Sequence, residues 1–145
     1  MGLFDAIDVA GSGLAAERLR MDVTAGNLAN AQTTKGANGQ PYRRREVVLQ
    51  EAQPGGFGAA LASAGAAQAA GGVQVSGIVE DTAPPRLVYD PGNPDANAQG
   101  YVAMPNVNPV TEMVDLISAS RSYEADVTAM QSAKTLFSKT LELLK

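Results

Sequence analysis

The run PVTEMVDLISASRSYEADVTAMQSAKTLFSKTLELLK, residues 109–145, decides the architecture. Steps of three and four along it meet Met113, Leu116, Ser120, Tyr123, Val127, Met130, Lys134, Phe137, Leu141 and Leu144, all apolar except Ser120 and Lys134. That spacing puts them on one face of an α-helix. Asn108 suits the N-cap, Pro109 the first helical position and Glu112 the first turn. Lys134, Lys139 and Lys145 gather toward the C-terminal end, where the helix dipole favours cations. At 1.5 Å per residue this helix would run ~55 Å.

A second helix is expected over residues 3–28. Leu3, Ile7, Ala10, Leu14, Glu17, Met21, Thr24 and Leu28 share its face, and Ile7, Leu14, Met21 and Leu28 form a seven-residue ladder. Asp5 and Asp8 fall in the first turns; Gly11 and Gly13 each weaken the helix by roughly 1 kcal/mol relative to alanine. Asn27-Leu28-Ala29-Asn30, then Thr33, Thr34 and Gly36, supply the stop. Two such helices bury their faces against each other and against neighbouring subunits, and order on assembly is expected to exceed order alone.

Between them the pattern changes. Gly39-Gln40-Pro41 turns the chain into a β-rich run at residues 42–49; Val73–Glu80 alternates, with a bulge expected at Gly77; Arg86–Tyr89 is a third short strand before the turn Asp90-Pro91-Gly92-Asn93. Residues 54–72 are a low-complexity block in which fourteen of nineteen residues are Ala or Gly. It reads as a loop or hairpin tip, or alternatively as a short helix at 59–70. The fold class is α+β: long N- and C-terminal helices pair as a coiled-coil-like hairpin, with a small irregular β unit inserted. The segments are 1–30 (helix), 31–105 (β-rich insert) and 106–145 (helix).

Composition narrows the function. The 145 residues carry net charge −4 and include 25 alanines but no histidine, cysteine or tryptophan. Alanine supplies over a third of the hydrophobic residues and buries little area, so thin helix packing fits better than a thick core. A Ser-His-Asp or Cys-His arrangement cannot be built, zinc has almost no ligands, and disulfides, iron–sulfur clusters and His- or Cys-ligated haem are excluded. No apolar run reaches the length of a transmembrane helix, and the N-terminus lacks the basic region of a cleaved signal. A cytosolic location, or export without a cleaved signal, is expected.

Three motifs read blandly. Gly11-Ser12-Gly13 lies inside a helical pattern with no preceding strand, unlike a nucleotide loop. Arg43-Arg44-Arg45 makes a poor nucleic-acid patch in an acidic chain; contact with an acidic neighbour is its better use. Asn93-x-Asp95-x-Asn97 has the first spacings of a calcium loop, but Ala98 and Met104 stand where glycine and a bidentate glutamate are needed. No cofactor or metal site is expected.

Ala25-Gly26-Asn27-Leu28-Ala29-Asn30-Ala31-Gln32-Thr33-Thr34 resembles the signature that follows the N-terminal helix in flagellar rod and hook proteins. Gly26 replaces its first Asn; Asn27, Asn30 and Thr33 match. Pro41–Arg44, Gly77–Asp81, Pro84–Pro91, Gly100–Asn108 and Ile117–Ala125 are similar to the proximal-rod members of that family, and only the Ala/Gly block departs. The resemblance implies a structural, non-enzymatic subunit of the basal-body rod. Such subunits polymerise helically into the drive shaft that transmits torque and encloses the export channel. Implied partners are copies of itself, other proximal and distal rod proteins, the rod–membrane-ring junction protein, the membrane ring and the flagellar type III export apparatus. Nucleic acid and direct membrane insertion are not implied, and the location is the rod in the periplasmic space.

Subunit contacts are expected at Leu3, Ile7, Leu14, Met21 and Leu28 on the first helix. On the second they are expected at Met113, Leu116, Tyr123, Val127, Met130, Phe137, Leu141 and Leu144. The competing readings are a distal-rod or hook-type subunit, a non-flagellar helical adaptor, or a lytic transglycosylase. The last would use one of Glu17, Glu46, Glu80, Glu112 or Glu124, none in a recognisable cleft motif.

Overall fold

The computed structural model describes residues 3–36, 38–52 and 71–142. The order is α1 (Leu3–Ala29), β1 (Arg45–Glu51), β2 (Val73–Glu80), β3 (Arg86–Tyr89), β4 (Tyr101–Met104) and α2 (Pro109–Glu142). Two long helices therefore flank a β insert of two two-stranded sheets, β1–β2 and β3–β4. The α+β expectation holds. The expected loop at 54–72 lies outside the described residues except for Gly71 and Gly72, as do the side chain of Leu3 and all of Leu144.

The chain forms two compact units. One comprises Met1–Leu19, Val48–Gly77 and Ala119–Lys145, the other Arg20–Val47 and Ile78–Ser118. Each takes a piece of both helices and of the β1–β2 pair, so neither follows a continuous stretch of chain.

In the first unit α1 and α2 run antiparallel. A Cβ placed on Gly13 would lie 2.8 Å from Asp126 Oδ2, and one on Gly11 would lie 3.8 Å from Met130 Cε. Glycine at position 13 thus leaves room for the Asp126 carboxylate against the backbone of α1. Helices approach most closely where side chains are smallest, and Ala16 (3% exposed) and Ala119 (0%) are buried here. The Ser12 hydroxyl donates to Val9 O (2.7 Å) and accepts from Val73 N–H (3.0 Å), tying β2 to α1. Ala52 N–H donates to Gly72 O at 2.7 Å, closing this end of the hairpin.

In the second unit β3 and β4 pair antiparallel, with Leu87 opposite Ala103, Val88 opposite Val102 and Tyr89 opposite Tyr101. Alternation sends Val102 (0% exposed) inward beside the buried Pro105 and Val107. Leu87, Tyr89 and Tyr101 stay exposed on the other face, the two rings edge-to-face at 5.3 Å. The strand expected at 42–49 begins three residues later, because Tyr42 turns elsewhere: its N–H donates to Thr33 O at 3.2 Å. Sheet pairing takes over where Asp81 N–H donates to Arg44 O at 2.8 Å.

Gly39 and Gly100 have φ of 75° and 82°. A Cβ on Gly39 would meet nothing, whereas one on Gly100 would lie 2.9 Å from Tyr89 Cε2. Gly39→Ala should cost about 1 kcal/mol for the left-handed backbone alone, and Gly100→Ala clearly more, since the ring must also move. Urea unfolding of the two variants checks the order.

Candidate subunit-assembly site

The end of α1 is tied down by an asparagine. Asn27, 1% exposed, uses all four of its hydrogen-bonding positions. Its amide donates to Arg45 O (2.8 Å) and Glu112 Oε2 (3.0 Å), while its Oδ1 accepts from Arg45 N–H (2.9 Å) and the Tyr42 hydroxyl (2.9 Å). One side chain thus joins the last turn of α1, the start of β1 and the first turn of α2. The other signature residues shape the turn that follows. The Asn30 amide donates to Gly26 O at 2.9 Å, and the Thr33 hydroxyl donates to Asn30 Oδ1 at 3.2 Å.

Glu112 is as deeply buried as Asn27 and is held on both oxygens, Oε2 by Asn27 and Oε1 by the guanidinium of Arg44. A carboxylate in such a place is tolerable only when both oxygens are engaged. Arg44 also pairs with Glu46, and its Nη2 lies 3.6 Å from Asp115. Asn106 extends the network, accepting from Arg44 N–H (3.4 Å) and donating to Asp81 Oδ2 (2.8 Å). Burial pushes the Tyr42 phenol upward, only partly countered by Arg45, whose guanidinium sits 5.8 Å from the ring centre. The phenol therefore stays protonated and keeps donating to Asn27.

The arginine triplet thus divides. Arg44 works inside the fold, Arg45 pairs with Glu80 at 3.0 Å, and Arg43 remains exposed. In the calcium-like turn, Asp95 accepts the Thr34 hydroxyl at 2.6 Å and pairs with Lys35. These two bonds, Lys35 first, hold its carboxyl below the ordinary aspartate value of 3.8.

The large apolar residues expected at subunit contacts are not the most buried ones. Ile7, Leu14, Met21, Leu28, Leu116, Tyr123, Val127, Met130 and Phe137 are half-buried, while Met113 (45%) and Leu141 (49%) are exposed. Val110, Val114 and Ile117 are exposed too, so the first half of α2 carries an uncovered apolar stripe. The first unit also holds a cavity of about 430 Å³, edged by Val9, Leu49, Val73 and Ala129. Among the described residues no cluster of acidic side chains could hold a metal, and no helix is long and apolar enough to cross a membrane.

Sequence reasoning missed the Asn27–Glu112–Arg44 network. Glu112 matched a helix-dipole pattern and the arginines a contact with an acidic neighbour; partners 85 and 68 residues apart leave no local signal.

Residues 7–37 match the family described as flagella basal body rod protein, and residues 98–143 match the flagellar basal body rod FlgEFG protein C-terminal family. The chain is 49% identical to flagellar basal-body rod protein FlgC of Salmonella typhimurium, over 99% of this chain and 98% of that one. It is 50% identical to the FlgC of Bacillus subtilis, over the full length of both. The chain belongs to the FlgC family of flagellar basal-body rod proteins. The FlgC of Borreliella burgdorferi, at 43% identity over all of this chain, extends the similarity to a third kind of bacterium. Both matched segments carry the network: Asn27 lies in the first and Glu112 in the second.

Asn27→Ala should lower stability by about 2–3 kcal/mol, because it leaves buried donors and the Glu112 carboxylate short of partners; denaturant unfolding checks it. The contribution of Asp95 has the opposite origin, a charged form favoured by folding. It should be present above pH about 4 and vanish as pH falls through the depressed value. The difference in melting temperature between the parent and Asp95→Asn, followed from pH 7 to pH 2, should therefore close at the acid end.

Proposed function

We propose that this chain is a structural subunit of the proximal rod of the bacterial flagellar basal body. It polymerises helically with other rod proteins into the drive shaft that transmits motor torque and encloses the export channel. The observation that carries this reading is full-length similarity near 50% to rod proteins of one kind. The two-helix architecture with a small insert agrees with it, since larger axial subunits need more chain between their helices.

The side chains left half-covered on both helices supply the contacts. Ile7, Leu14, Met21 and Leu28 on α1, with Leu116, Tyr123, Val127, Met130 and Phe137 on α2, are partly sheltered within one chain and completed by neighbours. Leu3, Met113, Leu141 and Leu144 extend the same ladders. Contacts that do not close on themselves build an open helical stack, and close-packed helices resist twisting. The neighbours are copies of this chain, other proximal and distal rod proteins, the rod–ring junction protein and the membrane ring. The subunit reaches the periplasmic space through the flagellar type III apparatus without losing a signal peptide. Its role is mechanical and requires no cofactor.

Removing residues 135–145 should abolish swimming and rod assembly while the shortened chain is still made and exported. Motility assays and electron microscopy of basal bodies check this, and normal swimming would sink the assembly role of the C-terminal ladder.

A further inference from the structure

The cavity of about 430 Å³ in the first unit is an elongated groove. Its lining on α1 runs from Asp5 to Glu17, ~18 Å of helix axis. At ~100° per residue the α1 positions in that lining fall within an arc of about 140°, so they make one face. Small side chains at Ala6, Ala10 and Gly13 keep that face low, and Leu49, Val73 and Ala129 add exposed apolar walls from the β1–β2 pair and α2. The ionisable residues of the lining are Asp5, Glu17 and Asp126, all acids. Among the described residues Asp126 has no ion-pair partner. A matching ridge lies on the first half of α2. Val110, Met113, Val114 and Ile117 are exposed there at the spacing i, i+3, i+4, i+7 by which a helix anchors in a groove. Together with Arg121, one turn further on, they fall within an arc of about 100° and cover ~17 Å of axis. Arg121 is exposed and, among the described residues, without an ion-pair partner. Asp115, on the same stretch, is turned to Arg44 at 3.6 Å, so no free acid interrupts the ridge. A chain cannot lay this ridge into its own groove, because the same unbroken helix lines that groove at Asp126 and Ala129, beyond Ile117.

We infer that the α2 ridge of one copy, Val110 to Ile117, docks in the α1 groove of a second copy of this chain. Length, apolar character and charge select the occupant. The ridge and the groove agree in length, and the one free charge on the ridge is basic where every charge in the groove is acidic. Arg121 comes to the end held by Asp126 and Glu17, and the positive N-terminal end of α2 comes to Asp5. The two helices therefore run parallel in this contact. Each chain offers one ridge and one groove, so the contact is heterologous and propagates from copy to copy. This inference rests on the rod-subunit reading and specifies which surfaces adjoin between copies.

The test uses the absence of native cysteine in the chain. Ala10→Cys falls midway along the groove and Ile117→Cys midway along the ridge. The double variant is expressed in place of the parent, basal bodies are purified and oxidised, and products are separated without reductant. A ladder of covalent oligomers of this chain is expected. Mixed expression of the two single variants should give dimers, and neither single variant alone should give any. A fast-migrating monomer with an internal bridge, dimers from one single variant, or no bridge at all would each overturn the inference.

Ile117 gives a second readout, since its exposure lets it be replaced without unfolding the chain. Ile117→Glu should leave the melting of the purified chain unchanged but cut its amount in basal bodies about tenfold or more, because a charge would enter an apolar contact. Ile117→Leu should restore incorporation, and an Ile117→Glu chain that incorporates normally overturns the inference. A photoreactive benzophenone side chain at position 117, irradiated in basal bodies, should label residues 5–17 of a second copy. Label on a different rod protein, or elsewhere on this chain, overturns it too. Presence of the chain in basal bodies without bridges would defeat this contact alone. Absence of the parent chain from basal bodies would defeat the rod reading itself, and the contact with it.

Discussion

The amide of Asn27 is the joint on which the second unit depends. Its four hydrogen bonds hold the last turn of α1, the entry to β1 and the first turn of α2 around one buried point. A network like this tolerates little partial occupancy: a buried polar group left short of a partner costs more than a made bond returns. Glu112 is bound by the same condition, since its carboxylate is inside only because Asn27 and Arg44 cover both oxygens. In a chain with few large apolar residues, directional bonds specify the arrangement where bulk burial is scarce.

That scarcity also explains the surface. Among the described residues the buried apolar ones are Ala16, Ala31, Val102, Pro105, Val107 and Ala119, all small or medium in size. The larger ones, from Val110 and Ile117 on α2 to Leu87 and Tyr89 on β3, remain exposed. A solitary soluble domain rarely leaves so much apolar surface in water. On the rod-subunit reading proposed above, the same surface is contact area for neighbours.

The helices, their caps and the limits of β2 and β3 were legible from periodicity and punctuation, whereas β1 begins and ends later than its pattern suggests and β4 carried no strand signal. Asn108, Pro109 and Glu112 foretold where α2 begins, and Pro84-Pro85 and Asp90-Pro91 bracketed β3. The rotation of α1 about its axis was not legible. Hydrophobic stepping favoured the row through Leu14 and Met21, whereas the buried apolar position on α1 is Ala16. Side-chain size explains the difference, because close approach is set by the smallest residues and hydrophobicity scales reward the largest.

By itself, then, the sequence determined the two helices, the position of the β insert, the exclusion of histidine and cysteine chemistry, and the family. Each of these is local or compositional, carried by neighbours within a few turns or by residue counts. Tertiary structure alone decided that Asn27 and Glu112 are interior, that Arg44 serves the fold while Arg43 stays exposed, and that Asp95 meets Thr34 and Lys35. Burial of a polar side chain depends on whether distant segments bring it matching donors and acceptors. That is a property of how the chain closes on itself, and no local pattern of residues encodes it.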